Sequence, residues 1–154
     1  MNQKQEKVEH SIALTPLPHS PLLLSYLINK VSELEKCHSK LAVTINFKDT
    51  SYTPYDGGYH PVEIRLSKLD QQNTSRTVWQ LEYITDFAYQ GHTFPELARD
   101  IDFDFANGCF YSVFLGWKTI KGNQDAIELY TLWESNFLSY LDMDAFDSIS
   151  VKAD

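Results

Sequence analysis

The sequence predicts an α+β domain in which a single twisted antiparallel sheet is flanked by an N-terminal and a C-terminal helix. One observation is residues 77–89, whose odd positions read Thr, Trp, Leu, Tyr, Thr, Phe, Tyr while the even ones are mostly polar. Strand side chains alternate between faces, so we expect a long central strand with one aromatic face in the core. The core residues predicted on this strand are Trp79, Tyr83 and Phe87. The other observation is that apolar residues recur every three or four positions near both ends of the chain, which indicates two amphipathic helices.

Length, composition and charge fit one globular domain. The 154 residues are 43% hydrophobic and 22% charged, which is ordinary globular composition. We expect residues 1–11 to form a flexible tail and residues 12–154 to form a single α+β domain. The net charge of −8 argues against nucleic-acid binding through phosphates, which needs clustered Lys and Arg.

Several classes of site and location find no sequence signal. Cys37 and Cys109 are far apart, so neither a disulfide framework nor zinc spacing is predicted. Gly57 and Gly58 do not follow a strand–helix phosphate-binding pattern, and we expect no cofactor and no metal. The opening residues lack a secretory signal and no segment reaches membrane-spanning length, so we expect a cytoplasmic protein without membrane contact.

The first half of the chain predicts a helix followed by two strands. Ser20 is a helix cap, and Pro21 suits the first helical position because its missing N–H costs nothing there. The apolar stripe of this helix comprises Leu23, Leu24, Leu27, Ile28, Val31 and Leu34. Residues 41–47 and 61–69 alternate apolar and polar side chains, as strands with one buried face do. Residues 70–75 are a polar turn.

Residues 97–115 are predicted to form a hairpin, because Asn107-Gly108 is the strongest short turn signal in the chain. If those two residues are the loop, Phe105 faces Phe110.

A final helix is predicted after the cap Asn123. Its buried stripe comprises Ala126, Tyr130, Trp133, Phe137 and Tyr140 or Leu141. Residues 143–154 are expected to add a short edge strand.

The hairpin carries the candidate partner-binding surface. Three carboxylates at alternate positions, about 7 Å apart, would share one strand face with a row of apolar side chains. The residues of this face are Asp100, Asp102, Asp104, Tyr111, Val113 and Leu115. Such a row is a solvated acidic surface, a site for a basic partner or, least in keeping with its straight shape, a cation site. The apolar half must be covered by a helix or by another subunit, which favours binding or assembly over catalysis.

His60 is the histidine closest to a chemical motif. With Glu63 it makes a His-x-x-Glu spacing, but that offset on a strand points the two side chains to opposite faces. Joint metal binding or acid–base work by this pair is therefore not expected, and we predict no catalytic residue.

The loop around Gly57-Gly58 is rich in tyrosine. Tyr52, Tyr55 and Tyr59 flank the two glycines, a composition that suits protein contact as well as simple packing of the loop. We include Tyr55 and Tyr59 among the candidate partner-binding residues.

Five segments in order resemble an uncharacterised bacterial family, a domain of unknown function found mainly in gammaproteobacteria. They are Asn46-Phe47-Lys48-Asp49, Gly57-Gly58-Tyr59-His60-Pro61-Val62-Glu63-Ile64, Tyr83-Ile84-Thr85-Asp86-Phe87, Ile101-Asp102-Phe103-Asp104-Phe105 and Leu132-Trp133-Glu134-Ser135-Asn136-Phe137. The resemblance implies a fold similar to that of the acidic mitochondrial matrix glycoprotein family. Members of that family bind the globular heads of a complement component and other proteins, assemble into ring-shaped trimers and have no established enzymatic activity.

The preferred hypothesis is therefore a non-enzymatic interaction module. It would be a homo-oligomer that engages a basic protein partner through its acidic face. Two alternatives remain: a small hydrolase or metal-dependent enzyme that uses His60 with nearby carboxylates, and an acidic mimic of nucleic acid.

Overall fold

The computed structural model describes residues 8–34, 40–69 and 76–154. The predicted turn at residues 70–75, Cys37 and most of the predicted N-terminal tail lie outside these residues. In chain order the elements are β1 (Glu9–Ile12), α1 (Pro21–Ser32), β2 (Ala42–Lys48), β3 (Val62–Lys68), β4 (Arg76–Gln90), β5 (Glu96–Asp104), β6 (Cys109–Ser112), β7 (Gly116–Thr119), α2 (Gln124–Asp142) and β8 (Ser148–Ala153).

The eight described strands form one sheet, in which seven follow the order β7-β6-β5-β4-β3-β2-β8 and β1 lies off this path. Every neighbouring pair in this order is antiparallel. β1 pairs in parallel with the first residues of β4, so residues 9–11 are part of the sheet where a tail was expected. The expected C-terminal edge strand is β8, which pairs with β2. The α+β class with a mostly antiparallel sheet and two flanking helices is confirmed.

Both helices begin where the sequence predicts. The Ser20 side chain accepts a hydrogen bond from the Leu22 N–H, and Pro21 occupies the first turn. The Asn123 side chain accepts from the Asp125 N–H in the same way at α2. Each cap satisfies a backbone donor that has no partner within its helix. The buried stripes of the helices are Leu23, Leu27 and Val31 on α1, and Ala126, Tyr130, Trp133 and Phe137 on α2.

A buried polar network joins the start of α1 to α2. The Tyr130 hydroxyl donates to Glu134 at 2.6 Å, so the His19 Nδ1–H donates to the Tyr130 oxygen and Nε2 accepts from Thr15. Glu134 in turn accepts from the Ser20 N–H at 3.0 Å. Every donor in this hydrogen-bond network has an acceptor only while His19 is neutral. Burial lowers the pKa of His19 to about 4.

The central strand β4 contains a β-bulge that changes which residues face the core. Arg65 pairs with Tyr83 while the next residue, Leu66, pairs with Leu81, so Glu82 is an extra residue on β4. An extra residue reverses the alternation of faces beyond it.

The prediction that the aromatic residues of β4 face the core is therefore wrong for the residues that follow Glu82. Trp79 is buried as predicted, but Ile84 then takes the core position. Tyr83 and Phe87 are half-buried and lie on the face opposite the helices.

The hairpin register also differs from the predicted one. Phe103 pairs with Phe110, and the connection is a four-residue turn, Phe105 to Gly108. The turn still contains Asn107-Gly108, and Gly108 alone of these two has positive φ, at 69°. Because the shift is two residues, the residues that pair in this hairpin, 101–104 and 109–112, keep their predicted faces.

Candidate functional site

A pocket of about 310 Å³ lies between α2 and the sheet. Its walls come from the loop before β3, from β3, β4 and β5, from α2 and from the segment that follows α2. The lining residues are Gly58, Tyr59, His60, Val62, Asp86, Asp100, Ile101, Leu129, Leu132, Trp133, Asn136, Phe137, Tyr140 and Phe146. One end of this pocket is polar and the rest is apolar and aromatic.

The polar end brings together one imidazole and two carboxylates. His60 Nδ1 lies 2.8 Å from Asp86 Oδ1 and 3.8 Å from Asp100 Oδ2. Potential ligand atoms of the three side chains all lie within 4.8 Å of one another. Trp133 on α2 donates its indole N–H to the other carboxylate oxygen of Asp86, at 3.1 Å. Asp86 is thus held from two sides.

Two irregularities in strand pairing place these carboxylates. The bulge at Glu82 turns Asp86 toward the helices together with Ile84. In β5, Ile101 pairs with Asp86 and Arg99 pairs with Phe87, so Asp100 is itself the extra residue of a second bulge. Its side chain therefore points into the pocket, and not along the face predicted from strict alternation.

The pKa values of His60 and of Asp100 are both raised, for different reasons. The hydrogen bond to Asp86 raises the pKa of His60, and the charges of Asp86 and Asp100 add to this against the opposing effect of burial. Burial and the neighbouring Asp86 raise the pKa of Asp100. The cluster thus favours binding positive charge, whether a proton or a ligand.

The remainder of the pocket is an aromatic wall. Tyr59 and Tyr140 meet edge to face with ring centroids 4.8 Å apart. Trp133 stacks on Phe137 at 5.0 Å. Leu132, 62% exposed, stands at the mouth. Such walls bind apolar groups, and the polar end fixes their orientation.

The tyrosine-rich loop is braced from within. Asp49 accepts hydrogen bonds from Ser51 and from the Tyr59 N–H. A Cβ added to Gly58 would stand 2.8 Å from an Asp49 carboxylate oxygen, so the loop closes too tightly for a side chain there. Tyr52 packs on His60, with ring centroids 5.5 Å apart. The loop thereby fixes one side of the pocket.

The other predicted site residues lie apart from this pocket, with the exception of Tyr59 in its wall. Asp102 is buried on the opposite sheet face, where it accepts from Thr85 at 2.8 Å and from Arg99 at 2.9 Å. Burial raises the pKa of Asp102, although both partners oppose this. Asp104 accepts from the backbone and side chain of Asn107 in the hairpin turn. The three aspartates therefore do not form the predicted row.

The apolar half of the predicted face is also divided. Tyr111 lies on β6, with its ring 5.3 Å from that of Trp117. Val113 and Leu115 belong to the turn between β6 and β7 and not to a strand. Tyr55 stands 86% exposed on its loop.

Sequence reasoning missed Asp86 and Trp133 as site residues. Both stand in segments that carry the family resemblance, and so do most residues that line the pocket. Every such segment except the one at Asn46 contributes to the walls. That convergence could have marked the pocket, but only once the strand register was known.

Comparison with known proteins gives the family and the fold but no activity. No curated protein matches the chain. A conserved hypothetical protein from pathogenicity island VPI-2 of Vibrio cholerae is 48% identical, with a TM-score of 0.78 over 92% of this chain and 99% of that one. It is described as sharing structural homology with the human P32 protein, a mitochondrial matrix glycoprotein. A hypothetical protein from the VSP-II island of Vibrio cholerae is 40% identical, with a TM-score of 0.83 over 95% of this chain and 100% of that one. The family model of proteins of unknown function DUF2787 matches residues 22–152, and the chain belongs to this family.

Proposed function

We propose that this protein is a non-enzymatic binding protein that accepts one side chain of a protein partner in the pocket beneath α2. The observation that carries the proposal is the pocket itself, open at Leu132 and Asn136 and ending at His60, Asp86 and Asp100. A concave apolar site with a few convergent polar groups is the usual form of a ligand site. The P32-like fold supports a role in protein interaction.

The lining of the pocket favours binding over covalent catalysis. Among the described residues that line it, none is Ser, Thr, Cys or Lys, the usual nucleophiles of covalent enzymes. His60 has carboxylate neighbours, but the described lining offers no Ser or Thr hydroxyl and no Cys thiol for it to activate.

A second part of the proposal concerns assembly. The turn between β6 and β7 exposes 93% of Phe114, and Trp117 and Leu115 beside it are about half exposed. This apolar group adjoins the edge strand β7, where another copy of the chain could cover it. We therefore propose a cytoplasmic homo-oligomer whose contact includes this turn.

The pocket is tested directly by NMR of the indole N–H groups. N-acetyl amino acid amides that carry the different side chains serve as probes. We expect some of them to shift the Trp133 resonance while the Trp117 resonance, on the opposite sheet face, stays in place. No shift of Trp133 with any probe would contradict the proposal.

A matched pair of variants then tests the partner. Asn136→Trp places a large ring at the pocket mouth, and Ser135→Trp places the same ring at an exposed α2 position outside the lining. Proteins captured from native cells by the parent and by Ser135→Trp should be lost with Asn136→Trp. Identical capture by both variants would show that the partner does not use the pocket.

A further inference from the structure

The polar end of the pocket carries negative charge that its own lining leaves without a compensating strong base. Asp86 and Asp100 have side chains only 13% and 24% exposed. None of the described residues that line the pocket is Lys or Arg, and His60 is the one basic group there. Two half-buried carboxylates this close favour a bound cation.

The arrangement of donor atoms fits a metal ion. Two ligands on one tetrahedral ion at about 2.1 Å stand roughly 3.4 Å apart. His60 Nδ1 lies 2.8 and 3.8 Å from the nearest oxygens of Asp86 and Asp100, on either side of that spacing. An ion between them requires shifts of only about half an ångström, with the Nδ1 proton replaced by the ion.

The surroundings of the cluster also match those of metal ligands. The indole N–H of Trp133 donates to the Asp86 oxygen that faces away from His60, as an outer hydrogen bond that orients a ligating carboxylate does. Asp86 lies on β4 and Asp100 on β5, while His60 lies in the loop before β3 with its ring packed on Tyr52. The two strands and this ring contact hold the three ligands in place.

We propose that His60, Asp86 and Asp100 bind a divalent first-row transition metal ion, for which Zn²⁺ is the probe. One imidazole with two carboxylates suits such ions better than Ca²⁺ or Mg²⁺, which prefer oxygen alone. Three protein ligands leave a coordination position open toward the aromatic wall.

This inference rests on the proposed binding function and names its ligand chemistry. The group received by the pocket then has an apolar body for the aromatic wall and a metal-ligating tip, an imidazole or a carboxylate. Without a metal, the tip would instead be an ammonium group that pairs with Asp86 and Asp100 directly.

Titration calorimetry of the metal-stripped full chain with Zn²⁺ tests the site. We expect one ion per chain. Asp100→Asn and His60→Phe, which keeps a ring beside Tyr52, should each weaken binding at least about tenfold. His92→Phe is the matched control, since His92 is exposed on a loop away from the pocket, and it should bind as the parent does. Circular dichroism verifies that each variant is folded.

Two results would overturn the inference. One is a parent that takes up no Zn²⁺, and the other is uptake that neither pocket variant weakens, which identifies a surface ion. X-ray absorption of the loaded parent should show nitrogen and oxygen ligands at about 2.0–2.2 Å.

The probe titration, repeated with EDTA and with Zn²⁺, separates this inference from the proposed function. Shifts of Trp133 by imidazole or carboxylate probes that require Zn²⁺ support both. Shifts by an ammonium probe that persist in EDTA keep the pocket function and refute the metal. If no probe shifts Trp133 in either condition, the pocket function is refuted, and the calorimetry alone decides the metal.

Discussion

Acidification is expected to destabilise this protein through His19, and a single substitution isolates the effect. The folded protein holds His19 neutral down to about pH 4, whereas the unfolded chain protonates it near 6.5. Between these values the unfolded state binds more protons, so the free energy of unfolding falls as the pH falls. The contribution of His19 is fully present above pH 6.5 and lost by about pH 4.

The size of this effect follows from the same two values. A difference of one pKa unit corresponds to about 1.4 kcal/mol, so the fall from 6.5 to about 4 corresponds to about 3 kcal/mol. Protonation would also place a second donor against Thr15 and a positive charge beside the buried Tyr130. Asp100 and Asp102 act in the opposite direction, because their raised pKa values favour the folded state at low pH. The parent alone therefore does not reveal the contribution of His19.

The comparison is between the parent and His19→Gln, in urea titrations at intervals from pH 7.5 to 4. The Gln amide retains a donor and an acceptor for the Tyr130–Thr15 network but does not titrate. As the pH falls across this range, the parent should lose about 3 kcal/mol of unfolding free energy relative to His19→Gln. Parallel curves would refute the argument that burial keeps His19 neutral.

Three further outcomes are expected. Trp79→Ala should lower the free energy of unfolding by about 3–5 kcal/mol in chemical denaturation. Tyr83→Ala, on the half-buried face, should lower it clearly less. Equal losses for the two variants would contradict the bulge at Glu82. Gly108→Val should lower the free energy of unfolding by more than ~1 kcal/mol, because the φ of 69° at this position disfavours a β-branched residue. The cost comes from the backbone alone, since no atom lies within reach of an added Cβ. A parent-like melting temperature would show that the turn tolerates valine. Val113→Lys should dissociate the proposed oligomer in light scattering while the circular dichroism spectrum is retained, and a parent that is monomeric at high concentration would exclude that oligomer.

The helices, their caps and most strands were predictable because the signals for them are local. Ser20 with Pro21, and Asn123, mark helix starts by their own chemistry, and the α2 stripe follows from spacing alone. The length of the hairpin turn was not predictable in the same way. Asn107 finds its partner in Asp104, and this capping contact favours a four-residue turn over the two-residue one.

The candidate site was harder to predict because its members are distant in sequence. His60 was weighed against Glu63, three positions away, whereas its partner Asp86 is 26 residues away on a neighbouring strand. That contact depends on the register of β3 with β4, and on a bulge at Glu82, whose side chain accepts a hydrogen bond from Arg65 across the strands. A local pattern contains neither. Alternation alone placed Asp100 on the wrong face for the same reason.

The bulge at Asp100 also bears on how such a site could arise in evolution. Arg99 and Ile101 pair with consecutive residues of β4, so Asp100 is a one-residue insertion in an otherwise continuous ladder. Deleting the codon for Asp100 would restore regular pairing between β4 and β5. It would remove one of the two pocket carboxylates and leave the remaining residues of β5 paired with the same residues of β4. Gain or loss of this acidic group within the lineage could therefore occur through a single in-frame insertion or deletion, an event that substitution-based comparison of relatives would not detect.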